Sequence, residues 1–136
     1  MTPHALAALA EQARTCAYAP YSHFTVGAAL LAADGRVFCG ANIENAAFSP
    51  SLCAERVAFA RAVCDGARDL VAIAIVGGKE SDTACGVPPC GVCLQTMTEF
   101  CRPLDFVIHL PQADGTIDTA PLAAFLPRAF DSKNIK

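Results

Sequence analysis

Three cysteines and one glutamate are the residues of this chain whose types and spacing could do chemistry. They stand in Cys53-Ala54-Glu55 and in Pro89-Cys90-Gly91-Val92-Cys93. The C-x-x-C spacing of Cys90 and Cys93 suits a metal chelate, with Cys53 as a third thiolate. Three protein ligands leave the fourth tetrahedral position of a zinc ion open, which separates a catalytic site from a closed structural one. Glu55 lies two residues past a ligand, placed to touch what the metal holds without binding the metal. Its expected role is to take a proton from zinc-bound water and deliver it to substrate. C-x-x-C alone is a weak signal, because it also marks redox motifs. Joined to Cys-Ala-Glu upstream and to Pro-Cys-Gly at a helix start, it is a strong one.

Both ligand groups are expected to open helices. Ser49-Pro50-Ser51 supplies breakers before an apolar face marked by Val57, Ala60, Ala62 and Val63, and Asp65-Gly66 ends that segment. Pro88-Pro89-Cys90 opens a second helix running to about Cys101. Free backbone N–H groups and the dipole at a helix start favour thiolates, lowering a cysteine pKa from about 8.5. Three thiolates nevertheless leave a zinc site net negative, which calls for a cation nearby. Arg56, directly after Glu55, is the expected supporting residue.

The remaining elements must hold these two helix starts together. Leu6, Leu9, Ala13 and Cys16 recur at helical spacing, predicting a packing helix from Pro3 to about Ala17 with Thr2 as its N-cap. Pro20 breaks it. Val26 to Leu31 reads as a buried strand, Ala33-Asp34-Gly35 as a hairpin turn, and Arg36 to Ala41 as the partner strand. Leu70 to Val76 is unbroken and apolar, as a central strand covered on both faces should be, with Gly77-Gly78 as its expected end. Asp105 to Leu110 is a further buried strand, Ala113-Asp114-Gly115 a second turn, and Pro121 to Phe125 a short helix. This order predicts an α/β fold with a mixed sheet of about five strands between helices on both faces, three layers in all. Pairing across the Cys90 helix should be parallel. No repeat or linker divides the chain, so residues 1–136 are expected to form a single domain.

Net charge is −3, with no run of Lys or Arg. That argues against a nucleic-acid footprint and for a small substrate that is not strongly anionic. Apolar content of 54% fits a compact domain, yet no apolar run reaches membrane-spanning length and no leader pattern stands at the start. A cytoplasmic location without membrane partners is the expectation. There, eight cysteines favour metal binding over disulfides. The five outside the metal set (Cys16, Cys39, Cys64, Cys85 and Cys101) are expected to be small buried hydrophobes.

Taken together, the chain resembles cytidine deaminases of the small homotetrameric zinc type. The resemblance rests on Ala17-Tyr18-Ala19-Pro20-Tyr21-Ser22, Phe24, Val26 to Leu30, Asn42-Ile43-Glu44-Asn45-Ala46, Cys53-Ala54-Glu55-Arg56, Pro89-Cys90-Gly91, Cys93, and Leu126-Pro127 with Phe130. It implies one zinc ion per subunit and hydrolytic deamination of cytidine and 2′-deoxycytidine to uridine and 2′-deoxyuridine, with release of ammonia, in pyrimidine salvage. Zinc-bound hydroxide would attack C4 while Glu55 shuttles protons. By the same resemblance Phe24 packs on the pyrimidine, Asn42 and Glu44 bind ribose hydroxyls, the backbone of Ala54 helps hold the base, and Phe130 reaches a neighbouring subunit's site.

Two positions depart from the family pattern. Phe48 stands where many relatives carry Tyr, removing any contact through that hydroxyl. Leu94 stands where an Arg often follows the second thiolate, removing a cation near the metal helix. Three other readings compete. A structural zinc module would use Cys85 as a fourth ligand. An editor of single-stranded nucleic acid is disfavoured by the acidic balance. A relative acting on a modified or antibiotic aminopyrimidine nucleoside fits less well with Asn42 and Glu44, which suit an ordinary ribose.

Overall fold

The computed structural model describes residues 1–80 and 82–135. Its elements, in order, are α1 (Pro3–Ala13), β1 (Phe24–Ala32), β2 (Val37–Ala41), α2 (Ala54–Cys64), β3 (Leu70–Lys79), β4 (Cys85–Gly86), α3 (Gly91–Phe100), β5 (Val107–Pro111), β6 (Ile117–Pro121) and α4 (Leu122–Phe125). Short 3₁₀ turns follow α1 at Arg14–Cys16 and close the described chain at Ser132–Ile135. Thr2 caps α1, its hydroxyl accepting from Ala5 N–H at 3.1 Å, and Pro3 at the first turn has no N–H to leave unpaired.

The strands form one mixed six-stranded sheet in the order β2-β1-β3-β5-β6, with β4 paired to β3 beside it. Only β3 and β5 run parallel, and α3 makes the crossover between them. Successive side chains of a strand point to opposite faces, and here both faces are covered. On one, Leu6 and Ala10 of α1 pack on Ala29, Ala72, Ala74 and Val76. On the other, Ala58, Phe59 and Ala62 of α2 and Met97 of α3 pack on Ala28, Leu30, Ile73, Ile75 and Ile108. Phe59 anchors that layer, its ring 6.2 Å from Phe100 and 6.1 Å from Phe106 between centroids. The architecture is α/β/α, as the patterning predicts.

Three local expectations change. Gly77 and Gly78 do not end β3, which runs on to Lys79 because β1 stays in register beside it, pairing Val26 with Gly77 and Phe24 with Lys79. A side chain at 77 would meet Val87 at 2.7 Å and Phe24 at 3.1 Å, so the glycine serves packing rather than termination. β6 is a mostly exposed edge strand with polar Asp118 and Thr119, and its sequence gives no alternating signal; it forms by pairing with β5 through the Asp114-Gly115 turn. Finally, Cys16 and Cys64 are exposed and Cys39 and Cys85 only half-buried, while Cys101 is buried as expected.

The layer that carries α2 is set by a close approach. At Gly40 of β2, a Cβ atom would stand 2.4 Å from the Ala54 carbonyl oxygen and 2.6 Å from the Ala58 nitrogen. Helix backbone rests directly on strand backbone there, and Arg61 of α2 fastens the contact by donating to the Cys39 carbonyl at 2.6 Å. Gly40→Ala is expected to cost about 1–3 kcal/mol in chemical denaturation and to displace the start of α2.

His109 of β5 supplies a test of the other layer boundary. It is 7% exposed, shares a hydrogen bond with Thr119 Oγ1 at 2.7 Å, and burial holds its pKa below 6.5. As pH falls, the unfolded chain therefore takes up a proton before the folded one. Stability from this site is complete above about pH 6.5 and drains as pH drops toward the folded-state pKa. Denaturation midpoints at about pH 7.5 and about pH 5.5 should differ more for the unmodified chain than for His109→Gln.

Candidate metal centre and active site

Cys53 and Cys90 are the N-caps of α2 and α3. Both have extended backbones (φ −75°, ψ 151° and φ −72°, ψ 169°), and neither side chain caps its helix. A Ser or Asp there would spend its oxygen on the helix N–H groups; the cysteine sulfurs stay free. Cys93 lies three residues beyond Cys90, on the same face of α3. The three Sγ atoms lie within 4.8 Å of one another, and those of Cys90 and Cys93 are 3.7 Å apart. Sulfurs on a tetrahedral zinc with bonds of about 2.3 Å stand about 3.8 Å apart. Among the described residues, this trio is the one such group of candidate ligands, and Cys85, in β4, is not part of it. A four-thiolate structural site therefore has no support here.

The thiols are coupled. A hydrogen bond from Cys93 pulls Cys53 down to about 5, against the opposing effect of burial, with help from Arg56 and Cys90. Cys93, the donor, is pushed the other way, and burial adds to the shift. Burial works against the charge of Arg56, but Cys53 and Cys93 outweigh it and hold the guanidinium protonated. One arm of Arg56 donates to the Ser51 carbonyl at 2.8 Å, while its buried Nε meets no hydrogen-bond partner. Soft sulfur donors at two positive helix ends, with a buried cationic N–H left over beside them, fit an anionic zinc–thiolate group.

Glu55, in the first turn of α2, is 5% exposed. Burial raises its pKa above the ordinary glutamate value, and the charge of Cys53 reinforces the rise. That is the direction a proton carrier working near neutrality requires.

These groups floor a cavity of about 530 Å³. Of the residues singled out in the sequence, Cys53, Ala54, Glu55, Cys90, Asn42 and Glu44 line it, and Cys93 is fully buried. Asn42 is locked by β1: its Oδ1 accepts from Val26 N–H at 2.8 Å and its Nδ2 donates to the Phe24 carbonyl at 2.9 Å. Phe24 and Phe130 are not among the lining residues. Val26, two positions along the same face of β1, takes the wall position; Phe130 is 58% exposed, its carbonyl accepting from Gln95 at 2.8 Å. The sequence reading also passed over Ser22, Leu52, Val87 and Pro88 as lining residues. Tyr21-Ser22 belongs to a stretch that carries the family resemblance, but no spacing signal gave either residue a role at the site.

Three convergent cysteine sulfurs with no fourth such ligand among the described residues, and a buried acid at hand, on an α/β/α frame, fit a mononuclear zinc site of the catalytic kind. The family model of the cytidine and deoxycytidylate deaminase zinc-binding region matches residues 2–83. Over 126 residues the chain is 48% identical to a cytidine deaminase of Halalkalibacterium halodurans, covering 93% of this chain and 92% of that one. A cytidine deaminase of Sporosarcina psychrophila is 45% identical over 130 residues, covering 96% and 92%. The crystal structure of a cytidine deaminase from Burkholderia pseudomallei superposes with a TM-score of 0.86 at 43% identity, covering 96% of this chain and all of that one. The chain belongs to the cytidine and deoxycytidylate deaminase family.

Replacing Arg56 by Gln removes the guanidinium charge beside Cys53 and Cys93. Zinc affinity in a chromogenic chelator competition is expected to weaken by about tenfold or more, the usual scale for a partner of a metal ligand.

Proposed function

We propose that residues 1–136 act as a single catalytic domain that deaminates cytidine and 2′-deoxycytidine hydrolytically, yielding uridine and 2′-deoxyuridine with ammonia. The observation that carries this reading is the buried Glu55 carboxyl beside three convergent thiols on the floor of a nucleoside-sized cavity. Cys53, Cys90 and Cys93 would hold the zinc ion, which when bound would supply the Lewis acid that makes water nucleophilic near neutral pH. Glu55 accepts one proton of the attacking water and passes it to ring N3 of the pyrimidine; it then takes the second from the hydroxyl left on C4 and gives it to the departing amine as the carbonyl forms. Arg56 balances the thiolate charge.

The walls suit a nucleoside. Ala54 N–H, in the first turn of α2, has no intrahelical acceptor and is free for the base. Val26 gives the apolar wall of β1; Phe24, on the same face but outside that lining, would have to turn inward to pack on the pyrimidine ring. Asn42 keeps an N–H to spare after its two bonds to β1, and with Glu44 it takes the ribose hydroxyls. The family covers both nucleoside and nucleotide deaminases by its description. Among the described residues no Lys or Arg lines the cavity, and two carboxyl groups do, which favours an uncharged nucleoside over a 5′-phosphate.

The setting proposed is pyrimidine salvage in the cytoplasm, by a homotetramer with one zinc per subunit and no nucleic-acid or membrane partner. Exposed Phe130 would then complete a neighbour's site, and exposed Phe48 would stand at the mouth of its own.

Ultraviolet monitoring of cytidine loss tests the reading, with deoxycytidylate and an oligonucleotide as comparators. Cytidine should be consumed, the other two should not, and chelation should abolish turnover. Glu55→Gln should retain zinc and lose kcat by about 10²–10⁴-fold. Cytidine left intact by zinc-loaded protein, or full turnover by the Glu55 variant, would refute the proposal.

A further inference from the structure

Glu44 is half-buried and gripped from one side. Its Oε1 accepts from the backbone N–H groups of Tyr21 at 3.0 Å and Ser22 at 3.1 Å, and its Oε2 accepts from the Ser22 hydroxyl. The same Ser22 Oγ accepts from Phe24 N–H at 3.0 Å, tying the grip to the first residue of β1. Lys79, at the end of β3, donates to the Ser22 carbonyl at 2.9 Å. His23 adopts φ 57°, the left-handed region that a side chain of its size enters at a cost. That conformation turns the chain sharply between the two amides facing Glu44 and the strand that follows. The hydroxyl bond, first, and then the two amides hold the Glu44 carboxyl below the usual range, so it stays an acceptor only.

A carboxylate offers about four acceptor positions. Three are taken by residues 21 and 22, and the fourth, on Oε2, remains beside the cavity that Ser22 and Glu44 both line. We infer that Ser22 is a positioning residue for substrate selection: by filling one acceptor position of Oε2 it aims the remaining one at a single sugar hydroxyl of the nucleoside. This rests on the reading of Glu44 as the ribose-binding group and assigns the means by which that group is oriented. Without the Ser22 hydroxyl the carboxylate keeps two amide donors on one oxygen and rotates about that anchor. The bond accepted from the sugar hydroxyl is lost in direction rather than in charge.

Steady-state kinetics with cytidine and with 2′,3′-dideoxycytidine, which lacks both ring hydroxyls, tests this for Ser22→Ala, Glu44→Gln and the double variant, each with zinc content and thermal midpoint recorded. Ser22→Ala should raise KM for cytidine about tenfold, the scale of a hydrogen bond to a charged group, with kcat nearly unchanged. Its KM for the dideoxy substrate should match that of the unmodified chain. The double variant should be no worse than Glu44→Gln alone, since both changes remove one interaction. A KM rise shared by both substrates, or effects that add in the double variant, would overturn the role of Ser22 while leaving Glu44 in place. A Glu44→Gln variant with unaltered KM for cytidine would overturn the ribose reading itself, and the inference with it. If Ser22→Ala does not fold, Ser22→Thr and Ser22→Val make the same comparison, one keeping the hydroxyl and the other its shape; only the Val variant should lose discrimination.

Discussion

Two helices that begin with an unspent cysteine, and whose beginnings meet, impose the constraint from which the site follows. A helix start is locally electropositive and rich in free N–H groups. Bringing two such ends together would be unfavourable without something negative between them. The sulfurs of Cys53, Cys90 and Cys93 provide it, sharing protons in the free chain and offering soft donors to zinc. Arg56 offsets the excess, and Glu55 is buried where the same helix start would favour its charge but desolvation opposes it. Burial outweighs the helix start, and the pKa of that carboxyl group rises.

The sheet exists, from the site's point of view, to hold those helix ends at fixed height. α2 sits on β2 through backbone contact at Gly40 and the Arg61–Cys39 bond, while α3 is delivered by the crossover from β3 to β5. The wall opposite is β1 with its N-terminal turn, fastened to the Asn42–Glu44 segment by the Asn42 amide and by the Ser22 grip. The three sulfurs and Glu55 on the one hand, and Asn42 and Glu44 on the other, thus come from different parts of the fold and border one cavity.

Much of this was legible in the residues. Cys53-Ala54-Glu55 and Pro89-Cys90-Gly91-Val92-Cys93 are local patterns, and capping chemistry predicts that each opens a helix. The β1–β2 hairpin and the buried β3 follow from turn residues and an unbroken apolar run. What stayed hidden depends on partners distant in sequence. Gly77 and Gly78 look like breakers but are held in β3 by β1; β6 is a strand because β5 pairs with it. Ser22 stands in a stretch that marks the family, but nothing local says that it faces Glu44, distant along the chain. For Phe24, the face of β1 was readable, but not that Val26 rather than Phe24 would border the cavity.

The metal set has a mechanical side. Its ligands straddle β3, the central strand, which lies wholly between Cys53 and Cys90. An ion bridging them closes that stretch into a covalent-like loop and so shrinks the disorder available to the unfolded chain. The reagent is also a staple. With an ion held there, its loss would loosen the scaffold and melting of the scaffold would release it, so reactivity and endurance would draw on the same three sulfur atoms.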